Sequence, residues 1–255
     1  MKVLVLLIFL FVLSGCNNEE ISKDIADYDV LNKYTHDVTF YTQGLEFAGD
    51  SLIESTGKYN YSRLIKYDHE EGEIFDSYDL PGSYFGEGIT VLDGKIFQLT
   101  YKSGICFVYN LSDFKKIGEF EYTGEGWGLT NDGTNLIMSN GTSTIFFRDP
   151  SDFSITGSIS VKDSEGNFVM DINELEYVEG LIYANIYHKE WIVAIDPSDG
   201  QVRDVYDLYG LRNRSLETNP GSDVLNGIAY KDSSFFVTGK YWPYIFEIRL
   251  NTKKN

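Results

Sequence analysis

Gln43-Gly44-Leu45-Glu46-Phe47, Glu87-Gly88-Ile89-Thr90-Val91, Trp127-Gly128-Leu129-Thr130, Asn173-Glu174-Leu175-Glu176-Tyr177 and Asn226-Gly227-Ile228-Ala229-Tyr230 are five ordered copies of one pattern. Each opens with a polar or aromatic residue, has glycine next in four of the five copies, and runs on into alternating apolar positions. Glu174 stands in the glycine's place in the fourth. Recurrence at such intervals marks a repeat architecture rather than a single layered sheet. Outward from each copy the chain reads as a hairpin: turns such as Asp93-Gly94, Asn131-Asp132-Gly133 and Glu179-Gly180 lead into second strands such as Lys95 to Thr100. Two more strands follow, for example Arg63 to Tyr67 and Glu73 to Tyr78, or Trp191 to Ile195 and Val202 to Tyr206. Each unit is therefore predicted to be a four-stranded antiparallel blade, and the whole an all-β, five-bladed β-propeller.

The fifth unit ends after its third strand, Tyr244 to Leu250, while a strand-like segment, Tyr28 to Tyr34, precedes the first copy. Pairing of this N-terminal strand with the last blade is expected to close the ring and remove its open edges. The long interval from Tyr209 to Asp223, with Asn219-Pro220-Gly221, carries no strand pattern and is predicted to be a rim loop.

Ahead of the repeats, an apolar run from Val3 to Leu13 is too short to span a membrane comfortably and reads as an export signal. Leu13-Ser14-Gly15-Cys16 resembles a bacterial lipoprotein processing site. The expected organisation is a signal peptide over residues 1–15, a lipidated tether over 16–27 beginning at Cys16, and the propeller over 28–255. The protein would then be lipid-anchored in the cell envelope, periplasmic or surface-facing. With Cys16 used by the anchor, only Cys106 remains and no intramolecular disulfide can form. A formal charge of −18 disfavours nucleic acid as a partner. A monomer is expected.

In an antiparallel hairpin the start of one strand lies beside the end of the next. The starts bring Gln43, Glu87, Trp127, Asn173 and Asn226 to one rim, and the ends of the second strands bring Lys58, Tyr101, Asn140, Tyr187 and Lys240 to the same rim. Such a ring suits a small polar group. Gln43, Asn173 and Asn226 can equally be backbone caps, Trp127 and Tyr101 can equally be core, and Lys240 can equally reach for solvent. Glu87 is the most suggestive, because glycines flank it and Tyr84-Phe85 precede it, an apolar setting that hinders solvation of a carboxylate. Glu125 lies one residue out of phase and should point elsewhere. His36, His69, His188 and Cys106 show no metal-ligand spacing, so no metal or other cofactor is expected. The Asp-rich turns at Asn131 to Asn135 and Asp149 to Asp152 read as turn chemistry before calcium sites.

Tyr41-Thr42-Gln43-Gly44-Leu45-Glu46-Phe47 with Glu54-Ser55-Thr56-Gly57, then Phe85-Gly86-Glu87-Gly88-Ile89, Gly126-Trp127-Gly128-Leu129, Asn173 to Tyr177, and Leu225 to Ala229 with Thr238-Gly239-Lys240, resemble in order the motifs of the glutamine cyclotransferase family of plant and bacterial type. The resemblance covers nearly all of the chain after Val38. It implies an acyltransferase that closes the N-terminal glutamine of peptides into pyroglutamate and releases ammonia. It also implies Glu87 as acid and base, Gln43, Asn173 and Lys240 as polar supports, and Tyr41, Phe85 and Trp127 as aromatic walls. Tyr101, Tyr187 and Asn226 complete the expected substrate-binding set. The family more often has tryptophan at Tyr101 and Tyr187, and aspartate at Asn140. The rival readings are a non-catalytic propeller lipoprotein that binds peptides or envelope partners, and a propeller lyase.

Overall fold

The computed structural model describes residues 25–251. The first blade comprises β3 (Thr42–Ala48), β4 (Ser51–Thr56), β5 (Arg63–Tyr67) and β6 (Ile74–Asp79), and the second β7 (Gly86–Leu92), β8 (Lys95–Thr100), β9 (Ile105–Asn110) and β10 (Lys116–Glu121). The third holds β11 (Leu129–Asn131), β12 (Leu136–Met138), β13 (Thr144–Arg148) and β14 (Ile155–Ser160). The fourth holds β15 (Ile172–Val178), β16 (Leu181–Ile186), β17 (Trp191–Ile195) and β18 (Val202–Asp207), extended by β1 (Ile25–Ala26) lying parallel to β18.

The fifth blade is built from both ends of the chain. β19 (Leu225–Lys231), β20 (Ser234–Gly239) and β21 (Tyr244–Leu250) are completed by β2 (Tyr28–Thr35), antiparallel to β21 from Tyr28 opposite Leu250 to Thr35 opposite Tyr244. The five-bladed propeller expected from the repeats is thus formed, and it closes as the stray N-terminal strand required.

Burial follows each blade from axis to edge. The inner strand β7 is buried at nearly every position, whereas the outer strands β6, β10 and β14 are largely exposed. Both faces of a middle strand pack against neighbouring blades, so the apolar core divides into clusters at the blade interfaces. Ile53, Leu64, Ile89 and Ile96 join the first blade to the second, and Leu99, Cys106, Leu129 and Met138 the second to the third. Ile137, Ile145, Ile182 and Val193 seal the third to the fourth, and Leu45, Leu52, Phe236 and Ile245 seal the ring between fifth and first.

The predicted rim loop is partly helical: Tyr209–Thr218 forms α1, lying against the interface of the fourth and fifth blades through Leu211. Only Leu211 and Ser215 are buried on it, an i, i+4 pair too thin to register as helical periodicity in the sequence. An ion pair from Arg212 to Glu190, 3.1 Å, ties it to the fourth blade.

The repeat glycines are set by the distance between inner strands. A methyl group on Gly88 would lie 2.5 Å from the Leu129 nitrogen and 2.6 Å from the Trp127 carbonyl oxygen, and one on Gly128 would collide with the Asn173 carbonyl. Backbone meets backbone here, and neither side can yield. Glu174 takes the exceptional position by sending its carboxylate across the axis, where it accepts from the amides of Leu45 (3.3 Å) and Ile228 (2.8 Å). Three blades are tied by one side chain.

Gly128→Ala should therefore cost about 3 kcal/mol of stability or prevent folding. Gly118→Ala, on the outer strand β10 where nothing lies within 4 Å of the added methyl, should be close to neutral. Urea unfolding of the two variants measures the contrast.

Candidate active site

Four of the five inner strands carry a register break at their first residues. The breaks fall between Thr42 and Gly44, Gly86 and Ile89, Ile172 and Leu175, and Leu225 and Ile228. Gln43, Glu87, Asn173 and Asn226 sit inside them. A bulge leaves a residue out of the ladder and re-aims its side chain, which frees these four from the strict in-and-out alternation of a strand. The second strands end at the same rim and deliver Tyr101, Tyr187 and Lys240.

A cavity of about 220 Å³ opens at this rim. Its walls are aromatic, from Tyr41, Phe85, Tyr101, Trp127 and Tyr187, and its polar groups are Gln43, Glu87, Asn173 and Lys240. Nine of the sequence-derived candidates thus converge on one space, smaller than the roughly 300 Å³ from which drug-sized sites begin. It is scaled to a single small group. Asn226 is not among the lining residues; it is fully buried, 0 % exposed, behind Gln43. Asn140 caps its own turn by accepting from Thr142, and Lys58 is exposed, its Nζ 4.9 Å from the centroids of the Tyr41 and Tyr241 rings. Neither lines the cavity.

The wall rings pack against one another, edge to face in the Phe85–Tyr41 and Trp127–Tyr187 pairs and tilted in the Phe85–Tyr101 pair. Phe85 meets Tyr41 at 6.1 Å and Tyr101 at 5.8 Å between centroids, and Trp127 meets Tyr187 at 5.6 Å. Gly141, with φ of +80°, lets the Trp127 ring lie where a side chain would otherwise stand, a support that nothing in the repeat pattern signalled. Trp127 Nε1 donates to Glu125 at 3.0 Å, and Glu125 also pairs with Lys102 at 3.4 Å. Glu125 is thereby occupied in holding a wall, consistent with its shift of phase.

Glu87 is 4 % exposed, and its Oε2 accepts from Gln43 Nε2 at 2.5 Å. Burial drives its proton affinity well above that of an ordinary carboxyl; the positive charge of Lys240 and the Gln43 bond oppose this, and Glu125 adds to it. Lys240 Nζ lies between two rings, 4.7 Å from the centroids of both Tyr41 and Tyr187. Burial lowers its pKa to about 8, against the pull of Glu87 and Asp223. Burial thus favours the uncharged form of both an acid and a base within one aromatic chamber. Among the described residues no cluster of three His, Cys, Asp or Glu side chains is placed to hold a metal ion. His36 instead pairs with Glu54 at 3.0 Å.

The glutamine cyclotransferase family pattern matches residues 4–250. The chain belongs to the glutamine cyclotransferase family. It is 36 % identical to a glutaminyl-peptide cyclotransferase of Arabidopsis thaliana over 93 % of this chain and 75 % of that protein. It also superposes on the crystal structure of Myxococcus xanthus glutaminyl cyclase with a TM-score of 0.82 and 34 % identity, covering 89 % of this chain and 97 % of the other. Tyr101 and Tyr187 both contribute their rings to the wall. Tyr187 also supplies one of the two faces that flank Lys240.

The displaced ammonium gives this site a signature in stability. Lysine titrates at 10.5 in the unfolded chain and Lys240 at about 8 in the folded one, so between those values the unfolded chain binds more protons. This group therefore makes stability rise with pH across the window, and its cost is full below it. The stability of Lys240→Met relative to the parent should be greatest below about pH 8 and decline toward pH 10.5. Denaturant unfolding at a series of pH values reads this, and a difference independent of pH would contradict it.

Proposed function

We propose that this chain is a glutaminyl-peptide cyclotransferase that converts the N-terminal glutamine of a peptide into pyroglutamate with release of ammonia, and that Glu87 is its general acid and base. The observation that carries the reading is the placement of one buried carboxyl group, bonded to Gln43 and electrostatically coupled to Lys240, in a cavity scaled to one residue.

The reaction is intramolecular, so holding the glutamine side chain curled supplies much of the rate. The aromatic walls do this by leaving little room for an extended side chain. The α-nitrogen attacks the γ-carbonyl carbon, a C–N bond forms, and the proton lost from the nitrogen passes to Glu87. Negative charge gathers on the former carbonyl oxygen, where donors from Asn173 or Lys240 can stabilise it. Glu87 then returns its proton to the γ-amide nitrogen, the bond from carbon to that nitrogen breaks, and ammonia departs. No proton is gained or lost by the enzyme over the cycle.

We place the enzyme on the cell envelope, held by a lipid on Cys16, which lies outside the described residues. The support is the sequence alone: an apolar signal, a small-residue processing site and a polar tether. Cys16→Ala should release the protein from the membrane fraction, and a mature N-terminus carrying no lipid would refute the anchor.

Glu87→Gln preserves volume and cannot shuttle a proton. It should reduce ammonia release from a Gln-initiated peptide by about 10²–10⁴-fold with thermal unfolding little changed. Glu125→Gln, which leaves Glu87 intact, should lose far less. A folded Glu87→Gln with near-parental turnover would overturn the assignment, and a parent protein that binds such peptides without releasing ammonia would favour a non-catalytic binder.

A further inference from the structure

The side chain of Asn226, expected among the substrate-binding groups, lies one layer behind them. Its Nδ2 donates to the Thr42 carbonyl oxygen at 2.9 Å and to Gln43 Oε1 at 3.2 Å, and Gln43 Nε2 donates to Glu87 Oε2 at 2.5 Å. A carboxamide has one accepting end and one donating end, so a chain of them can run in either direction unless something fixes its polarity. Here the fixed point is Thr42, because a peptide carbonyl can only accept. With Nδ2 held there, Asn226 must also offer N–H to Gln43. Gln43 must answer with Oε1, and its Nε2 is left for Glu87. Turning Asn226 over would set its oxygen against two acceptors. Among the described residues Asn226 Oδ1 has no hydrogen-bond partner, so only the donating end ties this side chain to its neighbours.

We propose that Asn226 is a positioning residue for Glu87. It holds the Gln43 amide as a donor, keeps the Gln43 carbonyl oxygen away from the carboxyl group, and leaves Oε1 of Glu87 as the oxygen that exchanges protons. The inference rests on the reading of Glu87 as acid and base. It also moves Asn226 from substrate contact to control of the group that makes contact. An unanchored Gln43 can present oxygen to Glu87 instead of N–H, and a carbonyl beside the carboxyl group favours its protonated form.

Asn226→Leu matches the shape of asparagine without its donor and adds no charge, and Asn226→Ser is a smaller polar substitute should the leucine not fold. For either folded variant, the acid limb of kcat/KM on one Gln-initiated peptide should move to higher pH by about one unit. That corresponds to roughly a tenfold loss on the limb, with recovery toward the parent rate above it. The same peptide throughout keeps the substrate amine constant. In a Gln43→Met background, where no amide remains to be oriented, the Asn226 substitution should shift the limb no further.

A loss of equal size at every pH, or a shift that persists in the Gln43→Met background, would overturn the proposal. If neither variant folds, NMR of the parent protein decides. The side-chain amide resonances of Asn226 and Gln43 should move together as Glu87 titrates, and an insensitive Asn226 would reject the relay. Retained turnover in Glu87→Gln would remove the underlying reading instead. Loss of turnover there with unmoved Asn226 profiles would remove this inference alone.

Discussion

Around the axis of this propeller the main chains of adjacent blades touch. The Gly88 amide donates to the Trp127 carbonyl across a blade boundary at 2.7 Å, and the added methyl groups considered above have nowhere to go at Gly88 or Gly128. Five blades leave a narrow channel, and contact of this kind fixes where each inner strand begins. That in turn fixes the bulges, and the bulges aim Gln43, Glu87 and Asn173 into one cavity from three blades. The site is a by-product of how tightly the ring is drawn. A looser ring would put the same side chains around an open water-filled channel, where neither carboxyl nor ammonium would be displaced from its ordinary pKa.

Burial acts on Glu87 and Lys240 in opposite senses. It raises the first and lowers the second, and each partly restores the charge of the other. Burial thus presses each group toward its uncharged form, while the charge of the other resists the change. Gln43 tips that balance toward the carboxylate, and the aromatic rings flanking Lys240 favour the ammonium. The poise of the chamber depends on amide orientation and ring placement as much as on the two ionisable residues.

The blades and their closure were legible in the sequence because they repeat: a glycine recurring before an apolar run, and a strand at one end without a partner, are signals that survive weak local similarity. The rim was legible for the same reason, since hairpin geometry assigns both sets of strand ends to it. What escaped was set by contacts distant in sequence. Helix α1 buries only Leu211 and Ser215 and owes its place to the blades beneath it. Asn226 occupies the same repeat position as Gln43 and Glu87, yet its side chain turns to Thr42 of the neighbouring blade instead of the cavity. Repeat position gives the rim; the partner across the blade boundary decides the layer.

The closing strand pair has a consequence for how the molecule is made. β2 cannot find β21 until the whole of the propeller between them has been synthesised, so the contact that completes the ring is also the one most distant along the chain. Until then the fifth blade is one strand short and the inner strand of the first blade lacks its neighbour. The early strands must wait as open edges, exposed to pairing with the wrong chain. Assembly of this ring is thus a race between intramolecular closure and intermolecular capture, and a chain that stops before Tyr244 has no means of winning it.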